Sequence, residues 1–364
     1  AIQENLRGKA DTSRSMQDND NLRGGTADTT RNNGRPRRRL ILASHGRLMW
    51  FDVDARTSEV IHEGRGIYYG VFPADASGDT IWVVSRPHNW RPKETREALL
   101  LIDVTTQPGR LVREIEIPSH FTHDAVRAGD AVFLADTGGG HVFELSLADG
   151  MRNVAHAADF TFKEHVNTLA PAGDPARPHA VWALLHNLGP SKLVLADLST
   201  GQRLREITGV GNKCHGLVPW EGGFIILNSG EGQLVKFMPP PEEGEGGSGS
   251  EGNLEVLWAD TQKTFMKGLT VIEGVAYFGI AEFGERSDRD SPDKTAEVAA
   301  FDLRARRLLW REKVETKGLL NIVSAPHVAE WSTYRPVDRW DWTPGRAKEE
   351  TAAAAAAAGA LGGD

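Results

Sequence analysis

Cysteine is almost missing: Cys214 is the one thiol in 364 residues. That excludes an intrachain disulfide and any metal site built on paired cysteines. No run of about 18 apolar residues occurs, so no segment reads as a transmembrane helix. A basic field is also lacking. Lys and Arg number 42 against 50 Asp and Glu, a formal charge of −8, which argues against nucleic acid as the partner. The chain opens on Ala1 rather than Met, which reads as processing or truncation. A removed signal or anchor is compatible with that, and the compartment stays open.

Large apolar side chains are scarce in residues 1–38, which cannot bury a core. This stretch carries a short duplication, NLRGKADTSR (5–14) and NLRGGTADTTR (21–31), and ends in the basic knot RPRRR (35–39). It is expected to be a disordered stalk or linker. Residues 348–364 form a low-complexity, alanine-rich tail. Residues 239–252 read as a flexible acidic insertion. The tryptophan-bearing stretch 327–347 is expected to pack on the folded domain.

Helical periodicity is missing between 39 and 326, and short apolar strands recur there every 8–12 residues. One strand type ends in aspartate or its replacement: LMWFDVD (48–54), LLLIDVT (99–105), VFELSLA (142–148), LVLADLS (193–199), LVKFMPP (234–240) and VAAFDLR (298–304). Six copies of a four-stranded unit predict an all-β, six-bladed β-propeller over 39–326. Innermost strands are expected at 69–74, 123–128, 167–172, 215–220, 267–272 and 321–326. The first outer strands lack an inner partner and the last inner strand lacks outer ones. One blade should therefore be closed by strands from both chain ends, which removes open sheet edges.

The heads of the inner strands define a candidate site at the channel mouth. They are Tyr69, His123, Asn167, His215, Lys267 and Asn321, with His165 on the same side of its strand as Asn167. Turns after the second strands add a rim that includes His45, Arg86, His88, Asp136, His186, Asn228, Glu282 and Arg286. A wet channel whose polar groups bond water accounts for such a ring. So does a ligand site, with His123, His215, Lys267 and Tyr69 as acid–base groups and Asn167, Asn321, His186, Asn228, Glu282 and Arg286 as binding groups. His123, His165 and His215 are candidate ligands for a divalent metal cofactor. Cys214, next to His215, is read as a buried structural thiol.

The blocks HDAVRAGDAVFLADT (123–137), EHVNTLA (164–170), HGLVPWEGGFIILNSGEGQL (215–234) and KGLTVIEGVAYFGIAEFGER (267–286) resemble an uncharacterised six-bladed propeller family, a domain of unknown function. The likeness covers roughly 119–326. It implies the fold and no activity. Two expectations of function follow from the residues. In the first, the propeller binds a small anionic or carbohydrate-like ligand at the channel mouth, with His-based, metal-assisted hydrolysis, elimination or isomerisation. In the other, it is a non-catalytic scaffold that docks a protein partner.

Overall fold

The computed structural model describes residues 31–32, 35–36, 38–75, 77–87, 96–241, 250–262, 264–282 and 295–325. The expected tails at 1–30, 327–347 and 348–364 lie outside the described residues, as do 242–249 of the acidic insertion. The chain divides into two compact units, Ala1–Pro36 and Arg37–Asp364. In the first, Arg31–Asn32 and Arg35–Pro36 pair antiparallel.

The second unit is a six-bladed β-propeller. Blade 1 joins Leu319–Ala325 to Arg39–Ser44, Arg47–Asp52 and Thr57–Glu63. Blade 2 is Ile67–Pro73, Thr80–Arg86, Glu97–Asp103 and Arg110–Ile117. Blade 3 is Thr122–Ala128, Ala131–Asp136, His141–Ser146 and Val154–Asp159. Blade 4 is Val166–Pro171, Ala180–Leu185, Lys192–Asp197 and Gln202–Thr208, extended by a parallel pairing with Ser250–Glu251. Blade 5 is His215–Trp220, Gly223–Asn228, Gln233–Met238 and Asn253–Ala259. Blade 6 is Thr264–Ile272, Val275–Glu282, Ala296–Asp302 and Arg307–Val314.

The recurrent aspartates have a local cause. Each accepts backbone N–H groups of the turn that follows it, as Asp52 does from Ala55 at 2.8 Å and Asp302 from Ala305 at 2.8 Å. Asp103 and Asp197 do the same for Thr105 and Ser199. They close the hairpin to the outermost strand. In blade 3, Ser146 takes the role toward Ala148.

Packing is organised by seams. Six apolar clusters each join two adjacent blades, and the sixth links blade 6 to blade 1. There Tyr277, Val298 and Ala300 meet Leu40, Leu42, Phe51, Leu319 and Ile322. At the seam of blades 4 and 5, Trp182 packs on Phe224, Ile226 and Phe237, with Cys214 enclosed among them. Each large side chain buried this way contributes about 1.5–3 kcal/mol. Closure is thus held by both hydrogen bonds and core.

Every inner strand carries a register shift near its start. The extra residue is His123 in blade 3, Asn167 in blade 4, Gly216 in blade 5, Gly268 in blade 6 and Leu320 in blade 1. Gly216 and Gly268 take φ of +65° and +72°, and a Cβ on Gly268 would lie 2.8 Å from the Ile322 nitrogen. Only glycine fits that crowding and that backbone. These bulges re-aim the side chains around them.

Candidate functional site

Four imidazoles form a continuous arc at the heads of the inner strands. His123 begins it in blade 3, and His165 follows in the connector to blade 4. His186 comes from the turn after that blade's second strand, and His215 heads the inner strand of blade 5. Neighbouring ring centroids are 4.9, 5.1 and 5.1 Å apart in that order. Tyr69 lies 5.7 Å from His123 at one end, and Phe265 lies 5.1 Å from His215 at the other. Lys267 places its Nζ 5.9 Å from the Phe265 ring. His165, His186 and His215 are buried, while His123 is half-buried. His165 adopts φ of +55°, a left-handed conformation uncommon for a non-glycine residue, and this turns it out of the strand that begins one residue later.

Hydrogen bonds assign the ring protons. His123 Nδ1 lies 3.1 Å from the Phe121 carbonyl, which can only accept, so Nδ1 carries the hydrogen. His215 Nδ1 lies 3.0 Å from Ser229 Oγ, whose own hydrogen goes to the Met266 carbonyl at 2.7 Å. His215 therefore donates to Ser229. His186 is the reverse case, because the Leu188 N–H donates to its Nδ1 at 3.1 Å. In their neutral forms His123 and His215 keep a basic lone pair on Nε2, and His186 carries an Nε2–H donor.

Burial drives both His123 and His215 well below the usual imidazole pKa. For His215 the further push comes from Lys267, His186, His123 and His165, and for His123 from His165, Lys267 and Arg86. These acting charges are all cationic or potentially so. Protonation of the arc is therefore costly.

Beneath Tyr69 lies a rigid support. Arg86 and Glu97 are 3% and 0% exposed, with Arg86 Nε 2.6 Å from Glu97 Oε1. Arg86 also donates to Tyr69 Oη at 2.9 Å and to the Thr122 carbonyl at 3.0 Å. Glu97 accepts from the Thr122 N–H at 2.7 Å and from Ser119 Oγ at 3.1 Å. The ion pair grips both backbone groups of Thr122 and so fixes the start of the strand that presents His123.

Asp124 is a functional candidate that sequence reasoning passed over. It is buried, and it accepts from the Ala125 and Leu169 N–H groups at 2.9 and 3.0 Å and from Asn321 Nδ2 at 2.9 Å. Burial raises its pKa to about 6 against the lowering effect of those donors. A signal was present: Asp124 is the one acidic residue in the six inner strands. Strict alternation would point it to the opposite face from His123, and the bulge at His123 cancels that alternation.

The predicted residues divide accordingly. Tyr69, His123, His165, His186, His215 and Lys267 come together around the arc. Asn321 instead bonds Asp124, because the extra residue of its strand is Leu320. Asn167 is buried at the bulge of blade 4, and its Nδ2 has no hydrogen-bond partner among the described residues. Asn228 uses its amide within blade 5, accepting from the Asn212 N–H at 2.7 Å and donating to Gln233 at 2.8 Å. Asp136 caps the turn around Gly139 and the Phe121 backbone. Glu282 ends a strand, but its side chain lies outside the described residues, as do His88 and Arg286. Cys214 is enclosed in the core, where burial pushes its thiol up to about 12.

His123, His165 and His215 do not form a group whose ligand atoms all lie within 4.8 Å of one another. Among the described residues, the three-residue group with ligand atoms all within 4.8 Å of one another is Glu144, His156 and His179. The ligand-spaced group therefore lies away from His123, His165 and His215, where the metal was expected.

No protein-family model and no curated protein matches the chain. Solved structures resemble it in fold. A chain of the nidogen–laminin complex is 12% identical with a TM-score of 0.54, over 80% of this chain and 99% of that one. A protein from Lactobacillus plantarum is 9% identical with a TM-score of 0.51, over 79% and 99%. A candidate 6-phosphogluconolactonase from Bacteroides uniformis is 12% identical with a TM-score of 0.51, again over 79% and 99%. Together with the strand order, these define the class as a six-bladed propeller. No described helix is long and apolar enough to cross a membrane.

Proposed function

We propose that this propeller binds a small anion, a phosphate or a sugar acid, over the imidazole arc and acts on it by proton transfer. The observation that carries the reading is the row of four imidazoles at about 5 Å spacing, ending at Lys267. Lys267 supplies an amine whose electrostatic influence reaches both His215 and His123. His123 and His215 supply basic Nε2 atoms, His186 a donor, and Tyr69 a phenol held by Arg86. That equipment suits hydrolysis, elimination or isomerisation of an anionic substrate without a metal on the arc. Asn167 adds a buried amide with donor capacity to spare. The fold likeness to candidate 6-phosphogluconolactonases supplies architecture only.

A second reading, a docking face for a protein, has one observation in its favour. The large apolar side chains Phe162 and Leu188 are 55% and 54% exposed, and both flank the arc, next to His165 and His186. Calorimetric titration with inorganic phosphate and with gluconate decides between the two. Saturable binding is expected, weakened about tenfold or more, a loss of about 1.4 kcal/mol, by His215→Ala and by Lys267→Met with the fold intact. Absence of saturable binding by either anion between about pH 6 and 8 overturns the anion reading.

A further inference from the structure

A second polar cluster sits at the seam of blades 3 and 4, built from three separate segments. Glu144 lies on the third strand of blade 3, and His156 stands directly opposite on the fourth. His179 reaches in from the turn before the strand Ala180–Leu185 of blade 4. One ligand atom from each residue lies within 4.8 Å of the other two. The Glu144 carboxylate is only 6% exposed, and His179 Nδ1 is 2.9 Å from both of its oxygens. The rings of His156 and His179 touch, with centroids 4.4 Å apart.

The backbone holds this arrangement in place. A register shift beside Glu144 makes Ala155 an extra residue in the outer strand, a bulge that turns the neighbouring His156. The His179 carbonyl accepts from the Leu198 N–H at 3.1 Å, which anchors the turn. Two imidazoles and one carboxylate form the donor set of a three-ligand zinc site, with a fourth position open. Magnesium and calcium favour all-oxygen sets, so they fit poorly here.

We propose that Glu144, His156 and His179 bind a divalent transition-metal ion of the zinc type. The ion ties blade 3 to blade 4. This site is independent of the channel arc and of the anion reading.

Zinc titration of the full chain, in competition with a coloured chelator, tests the assignment. One equivalent is expected to bind and to raise the melting temperature of the wild type. His156→Ala and the double variant His156→Ala with His179→Ala should each lower affinity at least about tenfold, a loss of about 1.4 kcal/mol. His156 is half-buried on an outermost strand, so its single replacement leaves the fold intact and keeps the test informative. His215→Ala should retain the zinc, and magnesium should give no saturable binding. Equal zinc affinity in wild type and His156→Ala overturns the proposal, as does loss of the zinc in His215→Ala alone.

Discussion

A chain lacking residues 319–325 will show no cooperative unfolding transition. That segment is the inner strand of blade 1, pairing with Arg39–Ser44 from the other end of the domain. Its removal strips Leu319 and Ile322 from the seam with blade 6 and opens Leu40 and Leu42 to water. It also uncovers the hydrogen-bonding edge of Arg39–Ser44, which loses its partner strand. The lost burial is several side chains at about 1.5–3 kcal/mol each, comparable with the whole stability of an ordinary domain, about 5–15 kcal/mol. Deleting residues 1–36, a separate unit, leaves the transition where it was. Circular dichroism during heating reads both variants. A cooperative, near-normal melt after the 319–325 deletion contradicts the closure.

Arg86→Met is expected to cost about 3–5 kcal/mol, the usual penalty for stranding one member of a buried ion pair. Glu97 is fully buried and would lose its guanidinium partner, while the Thr122 carbonyl and Tyr69 would lose donors. The charge left in the core makes this change large. Replacing both residues, Arg86→Met with Glu97→Leu, should recover part of the loss because no isolated charge remains. Urea denaturation measures the two losses. Equal destabilisation by the single and double variants would assign the cost to packing instead.

The propeller was legible because six blades repeat the same apolar strands and the same turn-capping aspartates. Closure was legible from the unpartnered strands at each end. The arc was legible as a set of heads and rims: His123, His186 and His215 stood out as polar residues bounding apolar runs. Three features were not. Bulges at His123 and Leu320 moved Asp124 and Asn321 into one hydrogen bond, and strict alternation cannot foresee a one-residue shift. Arg86 and Glu97 are eleven residues apart on neighbouring strands, and nothing in either strand marks them as buried partners. Glu144, His156 and His179 meet only because the blade seam brings a turn onto a neighbouring sheet.

The arc makes proton linkage the sharpest test of function. In the free protein His123 and His215 lie below the ordinary value, so below about pH 6.5 an unfolded chain binds protons that the folded chain refuses. Stability contributed by these residues is therefore present above about pH 6.5 and lost as pH falls through their folded values. A bound anion reverses that preference by raising both pKa values, so its binding must draw protons from solution. Calorimetry of gluconate binding at about pH 6.5, repeated in buffers of different ionisation enthalpy, counts those protons, because the carboxylate itself does not titrate there. Net proton uptake is expected, shrinking in His215→Ala, with affinity rising as pH falls from about 8 to 6. Binding without proton uptake, or uptake unchanged in His215→Ala, would contradict it.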